Sequence, residues 1–327
     1  MEERSLHFVW ASLKQVSADI LSSALKPHFG TAFQQPLRAF SSDNPVVAVS
    51  MVDVASRSVV FATTASGSSV QGDIGCFISV ETACIGTSAA PTFFPYRIID
   101  GRQYADGGML INCPSGKAVN VSNDVWPSEL INVLVSVGTG KCPAQVPVTE
   151  TLIEAIGLIV NLLTDSERLA EEAKTNYETK YPKGHFCRLN ATLSKAYSLD
   201  TRKEADIQDM IKSASETAEE ACKDISGRLL AQMIFVNVSD CNIARTLTYH
   251  IESRVPDVPL EPLIQEGLFY QSERNDSPPT EFLPLPGSSI DFEPGTYKIS
   301  FLAKTGFGTF PVSGSPINVQ VCPSLYQ

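Results

Sequence analysis

The hydrophobic period changes once along this chain of 327 residues, near residue 231, and that change limits the fold more than any single motif. From 206 to 230, Ile207, Met210, Ile211, Ala214, Ala218, Ala221, Cys222, Ile225 and Leu229 recur at threes and fours, which predicts a long amphipathic helix. Beyond 231 the segments "QMIFVNVS", "ARTLTYHI", "GTYKISFLAK" and "SPINVQVC" alternate with period two. Tyr297, Ile299, Phe301 and Ala303 fall on one face, and Ile317, Val319 and Val321 on another. Residues 253–288 are rich in Pro, Ser and acidic groups, the composition of long loops. Residues 232–327 are therefore expected to form a β-rich domain, a small antiparallel β-sandwich.

Residues 1–231 read differently. Helical spacing over 6–25 stops at Lys26-Pro27. Residues 45–64 read as two strands joined by a polar turn at Asp53 to Arg57, and the run Val46 to Val49 fits a strand covered on both faces. A short helix follows at 78–94, with Ser79 as its cap and Glu81 in its first turn. "GRQYADGG" is a brief strand that breaks at Asp106, and Pro114 and Ser115 open the next helix. "LINVLVSVGTG" is a second buried strand, Thr164 and Glu167 have capping-box spacing, and "HFCRLNA" is a further short strand. Strands followed by helices predict an α/β region, with a motif-bearing part at 45–140, a helical part at 150–231 and a mainly parallel sheet.

Charge excludes some functions. The net charge of −11 leaves no concentration of Lys and Arg to meet phosphates, so no nucleic-acid partner is expected. A simple electrostatic dock onto anionic membranes is disfavoured for the same reason. Eight cysteines occur without C-x-x-C spacing and without a nearby His to complete a zinc pattern, so no metal is expected and the thiols read as buried and reduced. The N-terminus is charged and lacks the apolar core of a signal peptide. No apolar run reaches the length of a membrane span; "LIEAIGLIVNLL" comes nearest and fits a buried helix. A cytoplasmic location follows as an expectation.

In α/β sheets, functional groups collect where strands end and helices begin. Two segments meet that description, "ACIGTSAAPTFFP" and "YADGGMLINCP". An Asp before Gly-Gly is either an ordinary turn or a general base held at a strand end. Together the segments resemble the second half of a patatin-like phospholipase domain, in its calcium-independent branch. The family shows a helix end reading A-T-S-A-A-P-T-Y-F, then a short strand entering D-G-G or D-G-A, then an Asn-Pro helix start. Thr87, Ser88, Ala89, Ala90, Pro91, Thr92, Phe93 and Phe94 match the first pattern, and Asp106, Gly107, Gly108, Asn112 and Pro114 the second. Gly86 and Cys113 depart from the usual Ala and Asn. The resemblance runs over about residues 15 to 215, whereas the β-rich end resembles immunoglobulin-like repeats over two strands only.

The resemblance implies a partial three-layer patatin-like domain that hydrolyses acyl esters of phospholipids or other lipids. It implies a Ser–Asp dyad, no cofactor and transient contact with a membrane surface. Asp106 would be the base, Gly107, Gly108, Asn112 and Pro114 would position it, and Ser88, Phe93 and Phe94 would form a substrate wall. The family's nucleophile sits in G-x-S-x-G, and no such segment and no Gly-Gly-Gly run occurs in these residues. "SGSSVQG", "GTSAAP" and "VSGSPIN" each lack the spacing. The chain begins downstream of the point where the family places both elements, so it is expected to be inactive alone. Three functions remain open: an acyl hydrolase of which this chain is the Asp-bearing part, a non-catalytic patatin-like pseudoenzyme that binds lipid or protein, and a β-module protein on a degraded enzyme scaffold. The bland readings stand beside these: Ser88 ending a helix, the two phenylalanines as core, His28, His185 and His250 uninvolved, and Cys113 unreactive for want of nearby charge other than Lys117.

Overall fold

The computed structural model describes residues 17–40, 45–65, 70, 72–75, 77–91, 93–141, 165–197, 201–239, 246–253, 267–274, 277–286, 289–305, 308–313 and 315–321. The chain divides into two compact units, 1–188 and 189–327.

The first unit opens with helix α1 (Ala18–Phe29), capped by Ser17, whose side chain accepts from the Ile20 N–H. Pro27 lies inside α1 and does not end it. A proline in the last turn forfeits one backbone bond, and the helix closes instead at Gly30, which takes a positive φ of 55°. Two short 3-10 turns lead to β1 (Ala48–Asp53) and β2 (Ser58–Thr63), an antiparallel hairpin in the register Ala48↔Thr63 to Asp53↔Ser58. The polar turn between them forms as expected. Asp53 is buried and its carboxylate accepts the Ala55 and Ser56 N–H groups at 2.9 and 3.1 Å, while Arg57 supplies the positive φ. The Ser56 N–H in particular holds the Asp53 carboxyl below its ordinary range. The strand starts at Ala48, so the apolar run at 46–49 lies largely before it and Val47 is exposed.

Helix α2 (Val80–Thr87) starts on Ser79, whose hydroxyl accepts the Thr82 N–H at 3.1 Å, and Glu81 sits in its first turn as expected. Strands β3 (Arg97–Ile99) and β4 (Arg102–Asp106) form a second hairpin around Asp100 and Gly101, both at positive φ. The four strands order β2-β1-β4-β3, and every pairing is antiparallel. This corrects the expectation of a mainly parallel sheet here. Two tight hairpins supply the strands, and a tight turn can join only antiparallel neighbours. Met51, Val60, Ala62, Ile99 and Tyr104 form one core cluster with Ala83 of α2. Phe61 forms another with Val121 of α3 (Ser115–Val125).

Strand β5 (Val133–Val137) pairs with β6 (His185–Leu189) in a separate two-stranded sheet. Helix α4 (Ser166–Lys180) packs along α3 through Val119, Tyr177 and Tyr181. The cap of α4 is Asp165, which accepts the Glu167 and Arg168 N–H groups. Thr164 and the apolar stretch 152–163 lie outside the described residues.

Helix α5 (Glu204–Gln232) belongs to the second unit, although the change of period suggested a boundary at 231. Its C-terminal end is buried against the β-rich part through Ile225, Gly227 and Ala231, whereas Ile211 and Leu229 of the apolar stripe are exposed. Strands β7 (Ile234–Ser239), β8 (Thr246–Ser253) and β11 (Ser289–Asp291) make one sheet. Strands β9 (Leu268–Arg274), β10 (Leu283–Pro284), β12 (Gly295–Thr305), β13 (Gly308–Pro311) and β14 (Ile317–Val321) make the other. Both are antiparallel, and they share a core of Ile234, Val236, Leu247, Tyr249, Ile299, Phe301, Ala303 and Phe310. The alternation of Tyr297, Ile299, Phe301 and Ala303 is the buried face of β12. No helix among the described residues is long and apolar enough to cross a membrane.

Candidate active site

Asp106 ends β4, opposite Met51 of the neighbouring β1. Its backbone N–H donates to the Ala89 carbonyl at 3.1 Å, just past the end of α2. The two motif segments are thus joined by a main-chain hydrogen bond. The Asp106 carboxylate accepts the Gly108 N–H at 2.7 Å, closing an Asx turn. The Gly107 carbonyl then accepts the Leu110 and Ile111 N–H groups at 3.1 and 2.9 Å and turns the chain toward α3.

Glycine at 107 is a packing requirement. A Cβ there would stand 2.3 Å from Ser50 Oγ and 2.5 Å from the Ser50 carbonyl oxygen, and backbone cannot yield. The same Ser50 carbonyl accepts the Thr87 hydroxyl at 2.8 Å, so α2, β1 and the turn meet on one residue. Gly86 fits for a related reason, since a Cβ would lie 2.3 Å from Met51 Sδ. At Gly108 an added Cβ would meet Asp106 Oδ1 at 3.1 Å and Asn112 Oδ1 at 3.7 Å, which places the Asn112 amide beside the turn. Pro114 is the residue from which α3 starts.

Asp106 is half-buried. Burial pushes its carboxyl above the ordinary carboxylate range, and the Gly108 N–H opposes that shift. A carboxylate with a raised pKa is a stronger base than one in water, and proton transfer gains from that poise.

Ser88 caps the C-terminus of α2, its N–H donating to the Cys84 carbonyl at 3.1 Å. The Phe93 and Phe94 N–H groups both donate to the Ala90 carbonyl, and both residues are half-buried. Thr92 lies outside the described residues. A cavity of about 480 Å³ opens between α3 and α4, lined by Leu110, Ile111, Cys113, Val119, Ala173 and Tyr177 among others. It begins four positions after Asp106, but neither Asp106 nor Ser88, Phe93 and Phe94 line it. His28 lies in α1, His185 on β6 and His250 on β8. Among the described residues, no three metal-ligating side chains gather at one point. Cys113 is buried against the Ser115 and Ser136 hydroxyls, while Cys222 is exposed.

Sequence reasoning did not identify Ser50, because its contribution is a backbone carbonyl and a lack of room. It also missed Ser136 and Arg188, which reach the start of α3 from β5 and β6.

No family model matches the chain. It is 29% identical over 129 residues to calcium-independent phospholipase A2-gamma of Homo sapiens, covering 38% of this chain and 16% of that protein. It is 25% identical over 136 residues to the Mus musculus protein of the same name, covering 42% of this chain and 17% of the relative. Phospholipase A I of Arabidopsis thaliana is 24% identical over 159 residues, which are 46% of this chain and 12% of that protein. The match therefore spans less than a fifth of each relative. The resemblance to patatin-like phospholipases of the calcium-independent branch is borne out by these relatives, over part of a domain.

Proposed function

We propose that Asp106 is the base of a Ser–Asp dyad in a phospholipase A-type acyl hydrolase, and that these residues carry the Asp-bearing part of its domain. The observation that supports this best is the seat of Asp106. It stands at a strand end with its main chain held by Ala89, its carboxylate on the Gly108 N–H, and its pKa raised by burial. In the proposed reaction Asp106 takes the hydroxyl proton of a serine as that oxygen attacks the ester carbonyl. It then gives the proton to the departing alcohol. Water repeats the sequence on the acyl-enzyme and frees the fatty acid. Only the ionised carboxylate can accept the first proton, so the rate should rise with pH through the raised pKa of Asp106.

The 327 residues contain no G-x-S-x-G and no glycine-rich oxyanion loop. That same observation favours a second reading, a patatin-like pseudoenzyme that binds lipid or protein without turnover. Ester hydrolysis by three purified proteins separates the two. This chain should show no turnover, since losing one oxyanion donor alone costs on the order of a hundredfold and losing the nucleophile removes the covalent route. The chain extended upstream by a segment bearing G-x-S-x-G should hydrolyse esters, and Asp106→Asn in that protein should abolish it. Turnover by the short chain, or turnover that survives Asp106→Asn, would overturn the dyad reading. An inactive extended protein that still binds lipid vesicles would favour the pseudoenzyme.

A further inference from the structure

The loop from Asp106 to α3 is anchored at both ends. At its start Asp106 pairs in β4 and Gly107 presses on Ser50. At its far end Cys113 and Ser115 are buried and enter a polar cluster with Ser136 of β5. The Ser115 hydroxyl donates to Ser136 Oγ at 2.6 Å, and Arg188 Nη1 of β6 donates to the same oxygen at 2.9 Å. Cys113 Sγ lies 3.4 Å from Ser115 Oγ and 3.8 Å from Ser136 Oγ. With Ser136 accepting from both Ser115 and Arg188, its own proton is free to point to the Cys113 sulfur, and the Cys113 thiol can donate to Ser115. The three groups then close a ring in which each donates once, driven by a charge-assisted donor from Arg188. Arg188 is held in turn by Glu167 of α4, whose carboxylate oxygen accepts from Nε and Nη2 at 3.1 and 2.8 Å.

The four-stranded sheet that carries Asp106 and the β5–β6 sheet share no strand. The polar ring therefore connects the loop to β5, β6 and α4 at once. From this we infer that Ser136, with Ser115 and Arg188, is a positioning device that fixes the far end of the Asp106 loop and so the aim of the carboxylate. The inference rests on reading Asp106 as the base, but its geometry is measurable whether or not the protein turns over.

The Gly108 amide is the reporter, because its N–H is bonded to the Asp106 carboxylate. In the full chain labelled with 15N-glycine, the Gly108 resonance is identified by its loss in Gly108→Ala. Ser136→Ala and Ser115→Ala should each move it toward its position in Asp106→Asn, and Ser136→Thr should restore it. Tyr177→Phe removes another hydrogen bond of the same unit, from the hydroxyl of the buried Tyr177 to the Ile131 carbonyl, and should leave Gly108 in place. If Ser136→Ala does not fold, Arg188→Lys keeps the charge, loses the fork and is read in the same way. A Gly108 resonance unmoved by the folded variants of this cluster, or moved equally by Tyr177→Phe, would overturn the inference. Failure of the dyad reading would show separately, as hydrolysis by the extended protein that survives Asp106→Asn.

Discussion

The two units bury their apolar residues in different ways. Among the described residues, the second has one continuous core, in which fourteen buried residues from helix and both sheets form a single cluster. Among the described residues, the first divides its core among separate clusters of seven, three and three buried residues. It also leaves Leu130 before β5 and Val137 at the end of β5 at 75% and 73% exposure. Interlocked apolar packing gives the second unit a uniform interior. The first unit instead holds its turn with close backbone approaches and buried polar groups, at Gly107, Ser50 and Ser136. Such contacts fix geometry and tolerate little change, which is what a site needs and what a packed sandwich does not.

This contrast can be broken most forcefully at Gly107. Gly107→Ala drives a Cβ into the Ser50 backbone, which cannot swing aside as a side chain can. It should cost the first unit about 3 kcal/mol or more. In calorimetry the transition of the first unit should fall by many degrees while that of the second stays put. A joint fall of both would show that the units do not unfold independently.

Gly227→Ala is the counterpart in the second unit. Its Cβ would meet Phe310 Cε2 at 2.1 Å, but that atom belongs to a ring that can shift. The expected loss is about 1 to 3 kcal/mol, confined to the second unit's transition. A loss confined to the first unit would place α5 with the motif-bearing part, as the period change in the sequence suggested.

The smallest expected change is at Asp106 itself. Its carboxyl has a higher pKa folded than unfolded, so the folded state holds the proton more tightly. Whatever stability that proton contributes is present at low pH and lost as pH rises through the folded value. At neutral pH the charge is a cost of burial. Asp106→Asn keeps an acceptor for the Gly108 N–H and removes the charge. It should stabilise the first unit by less than about 1 kcal/mol at pH 7, with the gain vanishing as pH falls through the carboxylate range. Urea titrations at both pH values check this, and a destabilised Asn variant at pH 7 would contradict it.

Much of the candidate site was legible in local residues. An Asp before two glycines at the end of an apolar segment marks a strand end, and Ser79 with Glu81 marks a helix start, because each feature is satisfied within a few residues. The face of β12 was legible because period two maps directly onto burial. What was not legible depends on distant partners. Ser115 and Ser136 are 21 positions apart, and Ser136 and Arg188 are 52 apart, so no local pattern announces the cluster. The antiparallel sheet was missed because only the β1–β2 hairpin was read from the sequence, whereas the β3–β4 hairpin and the pairing of β1 with β4 were not. The α5 stripe was legible as a long helix, but its spacing does not tell that its fully buried residues, Ile225, Gly227 and Ala231, all lie in the C-terminal turns.

The central claim is that the Asp106 turn is a site and not merely a turn, and the titration of Asp106 tests it most directly. An ordinary Asx-turn aspartate accepts an N–H in water, which lowers its pKa below the unperturbed value of about 3.9. Burial reverses the sign here. The pH dependence of the Asp106 side-chain carboxyl carbon resonance, assigned by its loss in Asp106→Asn and followed together with the Gly108 amide, gives the midpoint. A midpoint clearly above about 3.9, shared by both signals, is the predicted result. A midpoint at or below that value would mean that Asp106 is a solvated turn residue, and the reading of it as a poised base would fall.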